Sequence, residues 1–479
     1  MPDPVYTVAM EFTANSFTQI TSDCLRVSIT RQLATYEQGL SMGRLDLILD
    51  NLERKYSPAN SSSVYYPNLK PNKRVRVQAT YSGTTQDLFT GYVDTYSIDP
   101  QWGRKSTYIQ ASDRIKDINF RDIDLSIKVN YNTGSLFTEV LSAVGVSGAD
   151  SVVDSFSDII GYAWFEKRKG TAPIDELIKY GDYKVFVDGS GKVQVKNRYY
   201  DLLGTVVASY NEFLSYQYQL DEQGIGNVLR VSGSPRKVSA FQSIVAKLDR
   251  VLTVVGCGWT SFWLDYVDPD TNEAPIPVTS MATPVASIDY LLNTASGGTG
   301  TNLTATASLS FINYATTTVC TLFNGIVDTA YVTKFQLRGY PIQRQPLVSA
   351  ESEVVSSQNA YNKRSFTLES DLIDSLPYAQ NYVTYLVFDK KDPLDKLSIE
   401  VKNEWDKMLG TEVGDLLSIV ESLSAIGSPF TVMAVDHEIS WERGLEHVCK
   451  YELEKWQDRE WLILDHATAG VLDSKRLGF

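Results

Sequence analysis

Histidine and cysteine are scarce in this sequence: three histidines and four cysteines occur in 479 residues. Cys24, Cys257, Cys320 and Cys449 lie far apart and form no CxxC pair. That spacing excludes a disulfide framework, and buried thiols are expected. No apolar run reaches the ~18 residues that cross a bilayer, and no charged stretch followed by an apolar one opens the chain. Synthesis in a host cytosol, with no membrane anchor, is the expectation. Basic residues are outnumbered, with 44 Lys+Arg against 58 Asp+Glu and a net charge of −14. A surface built to grip nucleic acid or anionic lipid is thereby excluded. An acidic wall that DNA passes without sticking is compatible with this balance, because phosphate is repelled from it. Solubility alone explains the same number.

What is present is a folded, β-patterned chain, 43% hydrophobic and 11% aromatic, with 28 tyrosines. Tyrosine in such number suits sheets with large half-buried or contact faces. The length suggests about three or four domains.

The most informative stretch runs from Leu45 to Ile118. Leu45, Leu47 and Leu49 alternate with Asp46, Ile48 and Asp50. Val75, Val77, Ala79 and Tyr81 alternate with Arg74, Arg76, Gln78 and Thr80. Strict alternation marks strands with one covered face. Ser82-Gly83 closes a hairpin onto Leu88 to Asp94, and Tyr108 to Asp113 adds another strand. The ordered string Leu49-Asp50-Asn51, Tyr56-Ser57-Pro58, Asn68-Leu69-Lys70-Pro71 and Leu88-Phe89-Thr90-Gly91-Tyr92-Val93-Asp94 resembles the N-terminal domain of phage tail-tip and baseplate hub proteins.

Further along, Leu136, Val140, Leu141 and Val144 recur on one helical face, and Pro173 opens a second helix through Tyr180. Tyr183 to Val187 and Lys192 to Val195 flank Asp188-Gly189-Ser190-Gly191, a hairpin signal. From about Ala246 to Pro346 charge falls and Thr, Ser, Val and aromatics rise, as in an inserted β-rich domain, with strands expected over 304–312, 316–323 and 331–339. After it come a helix over 377–389 and strands over 396–402, 414–420, 430–440 and 447–455.

A duplication is suggested by two similar strings. Leu88 to Asp94 and Pro429 to Asp436 are each followed, 15 residues after the aspartate, by the middle of another strand, at Ile109 and Tyr451. Two similar units in one chain would give a trimer six similar positions. Gly414-Asp415, Val435 to Ser440, Tyr451-Glu452-Leu453-Glu454 and the terminal 461–479 stretch are similar to the C-terminal parts of the same hub family. The resemblance covers roughly 1–230 and 350–479. It implies a homotrimeric hub whose two tube-like domains ring the tail channel. It also implies contacts with a distal tail or tube ring, a tape measure protein and fibre or spike proteins, with transient passage of double-stranded DNA.

Chemistry is thinly represented. Asp436 and His437 are adjacent, so on a strand they face opposite ways. His447 and His466 have no nucleophile motif beside them. Asp150, Asp154 and Asp158 fall at four-residue spacing, read as a solvated helix face. Asp268-x-Asp270-x-Asn272 begins like a calcium loop but carries Glu273 and Thr279 where Gly and Glu are required. Gly297, Gly298 and Gly300 lack the Gly-Lys-Ser/Thr ending of a phosphate loop. Trp259, Phe262, Trp263 and Tyr266 read as a β-domain core, with a glycan platform as the alternative. Asn302-Leu303-Thr304 matches a glycosylation sequon, which has no bearing in a bacterial host.

The expectation is a mainly β, α+β chain. It has two similar tube-like β-barrel or sandwich domains (1–121, and 206–245 with 347–458), a helix-plus-hairpin domain (122–205), an inserted β-rich domain (246–346) and a C-terminal docking tail (459–479). No catalytic, cofactor or metal residue is assigned, and no channel-lining or interface residue is identified. The expected role is a virion structural protein, not an enzyme, at the distal tail tip of a tailed phage, with a siphophage preferred. The alternatives are a particle-bound or secreted glycan-binding protein using the aromatic insert, and a cell-wall hydrolase, which lacks an acid–base pair.

Overall fold

The protein is described by a computed structural model. It describes residues 3–99, 105–200 and 204–456, and the backbone of Trp461–Leu462 and Arg476–Leu477. The expected docking tail, apart from those four residues, and His466 lie outside the described residues. The chain is mainly β with a smaller share of helix. Among the described residues none of its sheets closes on itself, so the expected barrels are open sheets. No helix among them is long and apolar enough to cross a membrane.

The largest sheet has 13 strands and is built from two runs of six. The first comprises Val5–Thr13, Cys24–Gln32, Arg44–Asp50, Arg74–Tyr81, Thr84–Asp99 and Ser106–Ser112. The second comprises Val206–Tyr210, Ser215–Asp221, Leu394–Lys402, Leu416–Glu421, Ile426–Ser440 and Glu446–Lys455. Numbered along the chain within each run, the strands lie side by side in one order in both: second, third, sixth, fifth, fourth, first. Neighbours are antiparallel, except that Val206–Tyr210 runs parallel to Leu416–Glu421. The short strand Ser16–Gln19 completes the sheet beside Val5–Thr13.

Detailed geometry repeats as well. In the first run Asn72 N–H donates to Val93 O (2.7 Å) and Val93 N–H to Lys73 O (2.8 Å). In the second, Gly414 N–H donates to Val432 O and Val432 N–H to Asp415 O, both 2.9 Å. Asn72 and Gly414 both take left-handed backbone, at φ 65° and 86°, where Asn and Gly are the residues tolerated. Each fifth strand then bulges at the next residue, Asp94 or Met433. Ile109 and Tyr451 are equivalent, opposite Leu47 and Ile399. Asp94 is equivalent to Met433 and not to Asp436, because the paired arms of the hairpin beyond the bulge are longer in the second run.

Each run buries one face of its strands in its own core. Val8, Val27, Leu47, Val77, Val93 and Ile109 lie in the first, and Tyr210, Ile399, Leu417, Val432, Val435 and Tyr451 in the second. A third core combines the helices Thr133–Ala143 and Thr171–Gly181 and the hairpin Lys184–Val187 and Val193–Lys196 with the helix Leu376–Lys390 and the strand Val228–Gly233. Leu376–Lys390 starts where Ser375 Oγ accepts from Tyr378 N–H, with Pro377 in its first turn. It buries Ala379, Tyr382, Val383, Leu386 and Val387, a stripe at 3- and 4-residue spacing. The insert has a fourth core, organised on the 15-residue strand Ala330–Arg344, which pairs with five short strands.

Candidate functional site

The two six-strand runs are fused edge to edge. Ile426–Ser440 of the second pairs antiparallel with Cys24–Gln32 of the first, from Ala434 opposite Gln32 to Ser440 opposite Arg26. At this junction His437 and His447 meet, both buried. His437 Nδ1 lies 3.0 Å from His447 Nε2, and Tyr6 Oη lies 2.8 Å from His447 Nδ1. The histidines are ten positions apart in sequence, but the hairpin register sets His437 opposite Cys449 and His447 opposite Ile439, so the rings are diagonal neighbours. Burial pushes His447 down to about 3, and burial, then its neighbour's charge, pushes His437 well below the ordinary histidine range. Both rings are therefore neutral at pH 7. Among the described residues His437 Nε2 has no partner atom. No serine, cysteine or threonine nucleophile is among the hydrogen-bond partners found for this pair. The arrangement stiffens a seam.

Glu412 ties three parts together at the same seam. It pairs with the buried Arg31, accepts from Gly189 N–H at 3.1 Å, and caps Val413 N–H at 2.9 Å. Gly189, in the expected Asp188–Gly191 turn, lies so close to Asp87 O that a Cβ would strike it. The hairpin is thus an anchor onto the first run.

A second polar cluster sits in the third core. Arg198, almost wholly buried, pairs with Asp158 at 2.7 Å and with Tyr378 Oη at 3.2 Å. Its guanidinium also lies near the rings of Tyr183, Tyr382 and Tyr385. Nearby, a polar cavity of about 350 Å³ opens where the runs and the third core meet. Its walls include Glu454 and two ion pairs, Lys390 with Glu37 and Lys396 with Asp221. Burial lowers Lys390 to about 8 and raises Glu454.

The other sequence candidates separate. Asp150, Asp154 and Asp158 do not share a helix face: Asp150 and Asp154 flank the strand Ser151–Val153, Asp158 precedes the strand Ile159–Lys169, and they pair with Arg114, Lys196 and Arg198 respectively. Their spacing imitates a helix by coincidence. Asp268 closes a tight turn, accepting from Asp270 N–H at 2.8 Å and from Gln343. Gly298 and Gly300 carbonyls are bound by Asn293 at a hairpin tip. Cys24, Cys320 and Cys449 are buried as expected, whereas Cys257 is exposed. The aromatic group divides: Phe262 and Tyr266 enter the insert's core, while Trp259 and Trp263 lie on the opposite, exposed face of the same strand. Trp263 is stacked on Tyr314 and covered by Lys167 Nζ, 4.2 Å from its ring centre. The insert is also latched to the third core by Glu166, which accepts from Thr316 N–H (2.5 Å), Thr316 Oγ1 (2.7 Å) and Thr317 Oγ1.

No protein-family model matches the sequence, and no curated protein matches it. Solved structures do. A tail protein from Neisseria meningitidis MC58 aligns over 95% of this chain and 96% of its own, with 8% identity and a TM-score of 0.50. The 43 kDa tail protein of prophage MuSo2 from Shewanella oneidensis aligns over 93% and 97%, with 9% identity and a TM-score of 0.49. Prophage tail protein gp18 from Listeria monocytogenes EGD-e aligns over 93% and 94%, with 10% identity and a TM-score of 0.43. The chain shares the fold of the Neisseria meningitidis tail protein.

Proposed function

We propose that this chain is the trimeric hub at the distal tail tip or baseplate of a tailed phage. It joins the tail tube to the adhesion apparatus and forms part of the DNA ejection channel, and it works as a structural virion component and not as an enzyme. The observation that carries this reading is the repeated strand order. Two runs of the same strand order in one chain give a trimer six similar units, which matches a three-fold assembly to a six-fold tube without a symmetry gap. The net charge of −14 supports a conduit that DNA does not adhere to. A distal tube ring and tape measure protein on one side, and fibre or spike proteins on the other, are the partners this role requires. Negative-stain images of the purified chain test it. Three-fold particles with a central opening are expected, and compact particles without an opening, in the presence and absence of tube protein, would contradict it.

A second reading, glycan binding by the insert, rests on exposed Trp259 and Trp263. Lys167 and Tyr314 occupy Trp263, which weakens it. Binding of the full chain to a glycan array, lost in Trp259→Ala, would favour it.

A further inference from the structure

The seam inside the chain is a template for one between chains. In the seam, the fifth strand of the second run accepts the second strand of the first run along the edge beyond its bulge. The same two edges are open elsewhere. Among the described residues Ser215–Asp221, second strand of the second run, pairs on one side with Leu394–Lys402 and ends the sheet. In Thr84–Asp99, fifth strand of the first run, Thr95 to Asp99 pair with Ser106–Ser112 on one side, and among the described residues with no strand on the other. The equivalent strands of the two runs fix the register between these edges. Val27 corresponds to Tyr216, through their partners Leu47 and Ile399. Tyr96 corresponds to Val435, through Ile109 and Tyr451. The internal pair His437–Ile29 therefore maps onto Ile98–Tyr218, and Val435–Arg31 onto Tyr96–Leu220.

Burial agrees with this mapping. His437, Ile29, Val435 and Arg31 are all buried within the seam. Their counterparts Ile98, Tyr218 and Leu220 are 42%, 41% and 59% exposed, and among the described residues Tyr96 Oη is enclosed without a partner. An open strand edge with apolar side chains beside it is a template for another strand.

We infer that Ser215–Asp221 of one copy pairs antiparallel with Thr95 to Asp99 of a second copy, with Ile98 opposite Tyr218 and Tyr96 opposite Leu220. The contact is head to tail: each copy offers one edge and accepts at the other. This inference rests on the hub reading for its closure at three copies, and on the internal seam for its register.

The test is a cysteine pair in the full chain with Cys257→Ser, which removes the exposed thiol. Ile98→Cys with Tyr218→Cys, oxidised by copper phenanthroline, is expected to give covalent trimers on a non-reducing gel, reverting to monomer with thiol. A mixture of the two single variants gives dimers only. Ile98→Cys with Gln219→Cys, whose side chains point to opposite faces, gives at least tenfold less product. In parallel, light scattering measures the mass of the Cys257→Ser chain without oxidant. Trimers that do not cross-link through 98 and 218 overturn the edge pairing and leave the hub intact. Monomers at every concentration, with no cross-link, overturn both. If the cysteine variants fail to fold, hydrogen exchange of the Cys257→Ser chain decides: amides 96–99 and 216–220 are protected in the assembled state, and equal exchange in assembled and dilute samples refutes the pairing.

Discussion

Acid should loosen the seam between the two runs through His437 and His447. Both are neutral in the fold and charge in the unfolded chain near pH 6.5. Their folded values are depressed, so the unfolded state binds more protons as pH falls below 6.5, and stability drops. Each pH unit is worth about 1.4 kcal/mol per group. From pH 6.5 to 5 each histidine therefore costs about 2 kcal/mol, and the pair about 4 kcal/mol. The raw pH curve will not reveal this. Asp113 and Asp415, raised by burial to about 7 and about 6, take up protons in the fold and gain stability over the same range. The comparison must be with His437→Gln/His447→Gln, which keeps both aspartates. Urea unfolding followed by tryptophan fluorescence suits the purpose, since Trp441 packs edge-on against Tyr6, 5.8 Å between ring centres. Between pH 7 and 5 the native chain should lose about 4 kcal/mol relative to the double variant. Parallel pH dependences in the two proteins would refute the assignment of neutral, buried histidines to the seam.

Arg198→Met should strand Asp158 and the tyrosines around it, lowering stability by about 3–5 kcal/mol in a denaturant melt; a change within error would mean the cluster is solvated. Glu166→Ala should free the insert, seen as faster hydrogen exchange at Thr316 and Thr317 with the other cores unchanged. Gly189→Ala should lift the hairpin from Asp87 and cost about 1–3 kcal/mol, measurable as a lowered melting temperature. Thiol titration of the native chain should count one reactive cysteine, Cys257, and four after denaturation.

Strands with one covered face were legible in the sequence. The alternation over Arg74 to Tyr81 gives the observed strand to the residue, and Ser82 and Gly83 take the left-handed backbone a tight hairpin needs. The helix Leu376–Lys390 and the Asp188–Gly191 hairpin follow from stripe and turn chemistry. Val5–Thr13, Cys24–Gln32, Val206–Tyr210 and Ser215–Asp221 are not among the strands expected from the sequence, although Tyr6, Val8, Met10 and Phe12, and Leu25, Val27 and Ile29, recur at period 2. Without Cys24–Gln32 and Ser215–Asp221 the topological repeat cannot be seen, because they supply the second strand of each run. Ser215–Asp221 carries Tyr216, Tyr218 and Leu220 at period 2 among polar residues, a signal that was available. The strand Ala330–Arg344 outruns its expected ends because five successive partners extend it. The His437–His447 contact, Arg198 and Glu166 had no local signature. Each is assembled by register or by docking of segments far apart in sequence, which spacing alone does not encode.

The solution mass of the purified full chain checks for the three-copy ring. Light scattering should return three times the 53.5 kDa of one chain, with Ile98→Lys and Tyr218→Lys each shifting the protein toward monomer. A stable monomer or dimer at all concentrations, unchanged by addition of the tube protein, would contradict the account.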